Sequence, residues 1–367
     1  KIYRNLYLKV LNECLLDILD KNNIEAHTRF LVLEKLCFTF PEGSVKKHRS
    51  CKKFIKTRLN SFRSSFHELV AGSHWKSDDS STYTVLSEEK QKENNLKKVK
   101  HYIKNNCLSK AIQCFEREMT LPANEEVLAL LQAKHPAYSS AESFIDEHPS
   151  IDSVQIEVED LVKSIGKFNK TSSAGSDNKE IHHFNSILKC SLTQFKQDIL
   201  ENLTKVINLY LRGEAPKQIA PYFASANLIA LNKKDPNKLA VRPIAVGSVF
   251  RRLVEKSVML KIGDSISGVF GSTQVGVKTH NATEACVRIV NKAVHDIYQD
   301  PSSTKVMIRT DYENAFNSFF RYTLFTMIKK HSPALLNITR FLFEDKPKLF
   351  FGKHVIASEA GVQQGGP

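Results

Sequence analysis

The sequence predicts an α+β fold in which a helical N-terminal part precedes a part that mixes helices with short strands. Near the start, Leu8, Leu11, Leu15 and Ile18 recur at helical spacing. Beyond about residue 157 the pattern changes, and short apolar runs such as 224–231 alternate with helical segments. With 367 residues, of which 41% are hydrophobic, the chain can bury a substantial core in two domains or in one multi-lobed body.

The charge of the chain indicates a polyanionic partner. Lysine and arginine together number 53 and the acidic residues 39, which gives a net charge of +14. This excess favours nucleic acid as the partner, and a basic protein without that role is the plainer alternative. No apolar run reaches membrane-spanning length, so no membrane partner is expected.

The seven cysteines are scattered along the chain, and none forms a C-x-x-C pair. An odd number without zinc-like spacing argues against a disulfide scaffold and against a zinc ribbon. The pattern is typical of a reducing, intracellular compartment, and it leaves both nucleus and cytoplasm open as the location.

Residues 1–150 are interpreted as a helical N-terminal extension. Residues 1 to about 40 are predicted to be helical, with a second helix over 28–40 that stops at Pro41. A basic stretch then leads into another helix, and it is either a solvated helix face or a surface that follows a phosphate backbone. The candidate nucleic-acid contacts of this stretch are Lys46, Lys47, Arg49, Lys52 and Lys53. A loop over 72–84, a helix over 96–119 and a linker over 148–156 follow.

The second part is predicted to alternate helices and strands. The predicted helices cover about 158–168, 180–211, 282–298 and 320–330, with a further helix that carries Phe250 and Leu253 inward. The predicted strands are 224–231 and 306–308, together with a hairpin of 349–351 and 354–356 around Gly352-Lys353. The strand over 306–308 would deliver Asp311 at its end.

Three short motifs carry the chemical signal. They are Arg242-Pro243-Ile244, the stretch 310–318 that reads Thr-Asp-Tyr-Glu-Asn-Ala-Phe-Asn-Ser, and the final Gly-Val-Gln-Gln-Gly-Gly-Pro over 361–367. Together they resemble motifs of reverse transcriptases, particularly those of non-LTR retrotransposons. The loop with Gly175-Ser176-Asp177 resembles the opening of the fingers region in that family. Each motif is modest alone, and it is their order and spacing over about 160–367 that carry the resemblance.

The resemblance implies a right-hand polymerase fold, with fingers over 151–300 and a partial palm over 301–367. It implies an RNA-directed DNA polymerase of a retrotransposable element, a nucleotidyltransferase that adds deoxynucleotides to a primer 3′-hydroxyl. The implied partners are an RNA template, a DNA primer and dNTP. The implied cofactor is a pair of Mg²⁺ ions, with Mn²⁺ as an alternative.

The same resemblance gives roles to individual residues. It implies that the Asp311 carboxylate binds both metal ions and that Tyr312, beside the nucleotide, adds its backbone carbonyl. Arg242 and either Lys233 or Lys234 would hold the triphosphate, since a guanidinium grips phosphate oxygens in a bidentate way.

Phe316 would act as a steric gate against the 2′-hydroxyl in the same family. Gln364 and Gly365 would position the nucleotide pair, because a glycine lets the backbone approach a ligand closely. Arg251 and Arg252 would face template phosphate or solvent. The plainer alternatives are a helix cap for Asp311, a core position for Phe316 and an exposed basic hairpin for the lysines.

The family's second acidic motif, an apolar residue followed at one remove by Asp-Asp, does not occur before Pro367. We therefore expect this chain, which begins at Lys1, to be a fragment that does not polymerise alone. The alternative is a catalytically dead or repurposed reverse-transcriptase-like protein that binds RNA. An RNA-directed RNA polymerase is a third reading, and Phe316 argues against it. A helical scaffold without a nucleic-acid role fits the charge least well.

Overall fold

The structure is a computed structural model. It describes residues 2–40, 48–72, 87–104, 108, 111–112, 114, 120–138, 152–169, 172–233, 238–269, 274–276, 279–300 and 302–364. Lys46, Lys47, Lys234 and Gly365 lie outside these ranges, as does the side chain of Arg49. The roles proposed for these five residues stay predictions.

The N-terminal part is helical. Its described helices are α1 (Ile2–Lys21), α2 (Ile24–Phe38), α3 (His48–Ser64), α4 (Phe66–Gly72), α5 (Glu88–Lys104) and α6 (Glu125–Ala133). α2 begins after Asn23, whose side chain accepts a hydrogen bond from Ala26 N and so caps the helix. Asn124 caps α6 in the same way through Val127 N.

The second part combines helices with a small sheet. Its helices are α7 (Val158–Lys167), α8 (Ile181–Leu188), α9 (Thr193–Leu211), α10 (Ala220–Phe223), α11 (Val249–Val269), α12 (Ala282–Gln299), α13 (Ala315–Ser318), α14 (Arg321–His331) and α15 (Leu336–Phe343). Its strands are β1 (Ala226–Asn232), β2 (Val241–Gly247), β3 (Lys348–Phe351) and β4 (His354–Ala357). The α+β prediction is confirmed at this level, with helices dominating.

The sheet has the order β2-β1-β3-β4. β1 pairs with β2 antiparallel and with β3 parallel, while β3 and β4 form the predicted hairpin. α6 covers one face through Val127, Leu128 and Leu131. The alternation of buried and exposed residues in β2 places Arg242 on the opposite face from Val241 and Ala245.

Two predicted elements differ from the structure. The helix predicted over 180–211 is two helices, because the chain turns at Lys189 and Cys190 between α8 and α9. The strand predicted over 306–308 is not formed. Val306 and Ile308 are 79% and 80% exposed, and no strand among the described residues pairs with them. An isolated strand leaves its backbone groups to water and is not stable.

The main hydrophobic core joins both parts of the chain. It includes Leu8, Leu11 and Phe30 from the N-terminal helices together with Tyr210 and Phe250 from the second part. The predicted boundary at residue 150 lies outside the described residues, and the core extends across it. The division into 1–150, 151–300 and 301–367 therefore stays a prediction.

A buried ion pair reinforces this junction. Lys179 and Glu34 are fully buried and form a salt bridge, and Lys179 Nζ also donates to Phe30 O at 2.7 Å. Glu34 accepts a second hydrogen bond, at 2.7 Å, from the Tyr7 hydroxyl. A charge buried this deeply is tolerated only when paired, so the partners fix α2 against the segment before α8.

α12 is amphipathic but uncovered. Ala285, Ile289, Ala293 and Ile297 recur on one side of the helix, yet none of its residues is buried. On the polar side, Arg288 pairs with Glu284. None of the described helices is long and apolar enough to cross a membrane.

Candidate functional site

The site begins at a turn that follows Asp311. Asp311 is exposed and Tyr312 is 81% exposed, and both precede α13. The residue that caps α13 is Asn314, in the left-handed conformation with φ +56°. Asp311 therefore does not serve as the cap of this helix. Because 306–308 is not a strand, the expectation that a strand end holds Asp311 rigidly is wrong.

The turn is attached to the end of α6 instead. The Asn314 side chain donates to Lys134 O at 2.7 Å and accepts from Asn317 Nδ2 at 3.0 Å. Glu313 forms an ion pair with Lys134. This contact holds the pKa of the Glu313 carboxyl below its usual range, with smaller contributions from the charges of Lys233 and Lys238. The turn thus lies within the electrostatic reach of Lys233.

The segment 358–364 packs directly against this turn. Gly361 N donates to Phe319 O at 2.8 Å, and Val362 N donates to Phe316 O at 2.7 Å. Gly361 has φ +57°, and a Cβ placed on it would lie 2.1 Å from Phe316 O. Only glycine therefore fits here, since it tolerates both the conformation and the close approach. Phe316 itself is 55% exposed, so it is not a core residue.

Arg321 holds the same segment from the side of α14. The guanidinium is buried and donates to Gly361 O at 2.9 Å and to Ser358 O at 2.7 Å. Burial lowers its pKa to about 10, and its main-chain acceptors compensate for the lost water. Arg321 had no sequence signal that separates it from the other basic residues of the chain.

Arg251 of α11 also binds the segment 358–364. The prediction that it faces template phosphate or solvent is therefore wrong. Its side chain is buried, with the whole residue 3% exposed, and Nη1 donates to Gln363 Oε1 at 2.7 Å and to Ala224 O at 2.8 Å. Glu255 lies 3.3 Å from its Nε. A guanidinium enclosed by these groups does not face a template. Its neighbour Arg252 is partly buried and donates to Ser173 O, so it braces a loop.

The last link reaches β2, the strand that carries Arg242. Ala245 N donates to Gln364 O at 2.9 Å, three residues along the strand from Arg242. Arg242 is exposed. Lys233 is exposed at the end of β1, and its N donates to Ala240 O at 2.9 Å. The described members of three distant motifs are therefore joined by main-chain hydrogen bonds.

The Gly175-Ser176-Asp177 loop packs against the end of β2. A Cβ on Gly175 would lie 2.6 Å from Ser248 N, so this glycine permits a close backbone approach. The Ser248 hydroxyl donates to Asp177 Oδ2 at 2.5 Å. Burial raises the pKa of Asp177, while Lys179 and Ser248 act in the opposite direction. The loop therefore fixes the junction of β2 and α11.

The donor groups at the turn fit one hard cation better than two. Asp311 offers an exposed carboxylate and Tyr312 a backbone carbonyl, whereas Glu313 is paired with Lys134. Mg²⁺ is commonly held by one or two carboxylates plus substrate phosphates and water. Within the part of the chain that the structure describes, no group of three His, Cys, Asp or Glu side chains converges. A second ion would need a further carboxylate from elsewhere.

Among the predicted nucleic-acid contacts, Lys52 and Lys53 are exposed on α3.

Comparison with known protein families finds no match, and a search of the curated proteins finds none either.

Proposed function

We propose that the chain forms the fingers and part of the palm of an RNA-directed DNA polymerase of a retrotransposable element. The observation that supports this is the hydrogen-bonded path from Phe316 O to Val362 N and from Gln364 O to Ala245 N. It connects the Asp311 turn, the Gln363-Gln364 segment and the strand of Arg242, which are the three motifs behind the resemblance. These contacts hold the three motifs close to one another, as a shared nucleotide site requires.

In this proposal the exposed groups around that path bind the nucleotide. Asp311 and the carbonyl of Tyr312 hold a Mg²⁺ ion, and Arg242 and Lys233 bind the triphosphate. The ion neutralises phosphate charge when bound, as in other phosphoryl transfers. The ring of Phe316 is exposed, and in this proposal it is the group that would meet the 2′-hydroxyl of a ribonucleotide. Its main chain is fixed by Val362, which suits a gate that must not move.

Primer extension tests the proposal. The protein, in the form that the cell makes, is given an RNA template, a DNA primer, Mg²⁺ and either dNTP or rNTP. We expect extension with dNTP, and we expect Asp311→Ala to lower it by more than about a hundredfold, because a lost metal carboxylate removes transition-state stabilisation.

Glu313→Gln is the matched control, because it removes the carboxylate two residues along the chain, which is already paired with Lys134. It should retain most of the activity. Full activity in Asp311→Ala would overturn the assignment of Asp311. A preference for rNTP would favour an RNA-directed RNA polymerase.

The second candidate is a protein that binds RNA without chemistry. It is favoured by the exposed side chains of Lys52 and Lys53 on α3, which can contact phosphates whether or not the turn holds a metal ion. Salt-dependent RNA binding with no extension under any metal condition would support this candidate over the first.

A further inference from the structure

A cavity of about 560 Å³ lies between the N-terminal helices and the segment that leads into α8. Its volume is in the range of pockets that hold small molecules or parts of larger ligands. Its walls come from α1, from the end of α2, from α3 and from 174–186. None of the residues assigned to the nucleotide site lines it, so it is a separate feature of the molecule.

Aromatic rings form one wall of the cavity. Phe38 and His183 stack with ring centroids 5.1 Å apart and an interplanar angle of 16°. Tyr7 lies beneath them, with its ring 5.5 Å from Phe38. Phe38 is only partly buried, so part of its ring is open to a ligand. An exposed aromatic ring that is already held in place is a suitable platform for a nucleobase.

His183 supplies a directed polar group beside this platform. Burial lowers its pKa to about 2, helped by the neighbouring His182 and Lys179, so the ring is neutral. Its Nδ1 accepts a hydrogen bond from Glu180 N at 3.0 Å. A neutral imidazole carries one proton, which must then be on Nε2, and that nitrogen acts as a donor. A donor beside a stacking surface can bind an acceptor on the edge of a base.

The rim of the cavity is basic on the side of α3. Ile55 of α3 lines the cavity. Lys52, about one helical turn before Ile55, and Lys56, the residue after it, are both exposed. Arg4 of α1 also lines the cavity. The Glu180 carboxylate on the rim lies 2.8 Å from His182 Nδ1. Positive groups outside an aromatic pocket match phosphates that follow a base.

We propose that this cavity binds an unpaired nucleobase of a single-stranded nucleic acid, with the flanking phosphates on Lys52 and Lys56. A stacking wall, a fixed donor and a basic rim are the three elements of such a site. The cavity would be a second binding site for a nucleic-acid strand, separate from the Asp311 turn. It does not depend on polymerase activity and holds equally for a protein that only binds RNA.

Fluorescence anisotropy with a labelled single-stranded RNA 12-mer tests the proposal. Phe38→Leu keeps an apolar side chain but removes the stacking ring, and we expect it to weaken binding by about tenfold. Phe38→Tyr keeps the ring and should bind like the parent, which also shows that the position tolerates substitution. A 2-aminopurine base in the RNA should lose fluorescence on binding the parent but not Phe38→Leu.

The lysines are tested by the dependence of affinity on salt. Lys52→Gln with Lys56→Gln should reduce the slope of log K against log salt by about 1.4, since each single-strand phosphate contact contributes about 0.7. The matched control is Lys100→Gln with Lys104→Gln, an exposed pair at the same spacing on α5, which should leave the slope unchanged.

Single-stranded DNA of the same sequence, duplex RNA and a free nucleoside monophosphate complete the comparison. Tight binding of either single strand, RNA or DNA, supports the proposal and identifies the preferred sugar. Equal affinity for the duplex, or Phe38→Leu binding as tightly as the parent, would overturn it. Binding of the monophosphate as tightly as the strand would also overturn it, because the flanking phosphates of the strand would then add nothing through Lys52 and Lys56.

Discussion

His27 is a fully buried histidine with a partner on each ring nitrogen. Nε2 lies 2.9 Å from Asn22 Oδ1, which can only accept, and Nδ1 lies 2.7 Å from the Tyr210 hydroxyl. The neutral ring satisfies both contacts, with the proton on Nε2. Burial lowers its pKa from 6.5 to about 4, because no nearby negative charge offsets the cost of an imidazolium.

We expect His27 to make the folded state sensitive to mild acid. Its folded pKa lies below its unfolded one, so its contribution is complete above about pH 6.5 and is lost as the pH falls toward about 4. The difference corresponds to about 3 kcal/mol in the free energy of unfolding. His183, with a pKa lowered to about 2, adds to the same trend.

Urea unfolding between about pH 7.5 and 4.5 measures this effect. His27→Gln should flatten the fall in unfolding free energy, and His295→Gln, at an exposed site on α12, should not. An unchanged slope in His27→Gln would show that His27 is not the responsible group.

Individual residue roles could be read from the sequence only in part. Asp311 and Phe316 were singled out by their neighbours along the chain, and the structure leaves both side chains exposed. Arg251 and Arg252 looked equivalent, yet adjacent helix positions point about 100° apart. Arg251 points into the protein and donates a hydrogen bond to Gln363. Nothing in the sequence shows which of the two arginines does so.

At the scale of elements, Gly361 is the point at which two segments approach most closely. Gly361→Ala would place a methyl group against Phe316 O and would also strain the backbone at φ +57°. We expect a loss of about 3 kcal/mol or more in stability, from the conformational cost plus the clash. Chemical denaturation measures it.

Gly213→Ala separates the two causes. Gly213 also has a positive φ, +71°, but a Cβ there would meet no atom closer than 3.3 Å. It should show mainly the conformational cost, about 1 kcal/mol, because Asn337 O has to move by only a few tenths of an ångström. Equal losses in the two variants would mean that Phe316 and Gly361 can move apart freely.

Local signals decided which elements were predictable. The hairpin of β3 and β4 has its turn residues within the sequence, with Gly352 at φ +55°, and it was found. The stretch 306–308 has the composition of a strand. A strand is stable only when it pairs with another strand, and composition does not show whether a partner strand is present. No strand is predicted over β2, because Arg242-Pro243-Ile244 has the pattern of a motif and does not identify itself as part of a strand.

At the scale of the whole molecule, the order of the motifs was informative and the domain division less so. The resemblance that rests on motif order implies that Phe316, Gln364 and Arg242 share one nucleotide site, and main-chain hydrogen bonds join the segments that carry them. The sequence offered no sign that α1 and α2 pack into the same core as α9 and α11. Lys179, which buries its charge against Glu34, looked like any other lysine.

The shared core leads to a last prediction about cooperativity. Leu11 of α1 and Leu253 of α11 are both fully buried in the same cluster, although about 240 residues separate them. If the core is one unit, Leu11→Ala and Leu253→Ala should each lower a single unfolding transition by about 2–5 kcal/mol, without a change in its denaturant slope. Circular dichroism and tyrosine fluorescence should follow the same curve.

Leu16→Ala is the control for that experiment, because Leu16 lies on the same helix as Leu11 but is 48% exposed. It should cost less than about 0.5 kcal/mol, as surface substitutions generally do. A separate, earlier transition in Leu11→Ala would mean that the N-terminal helices unfold as their own domain. Residue 150 would then mark a real domain boundary, and α1 and α2 would not belong to the core of the second part.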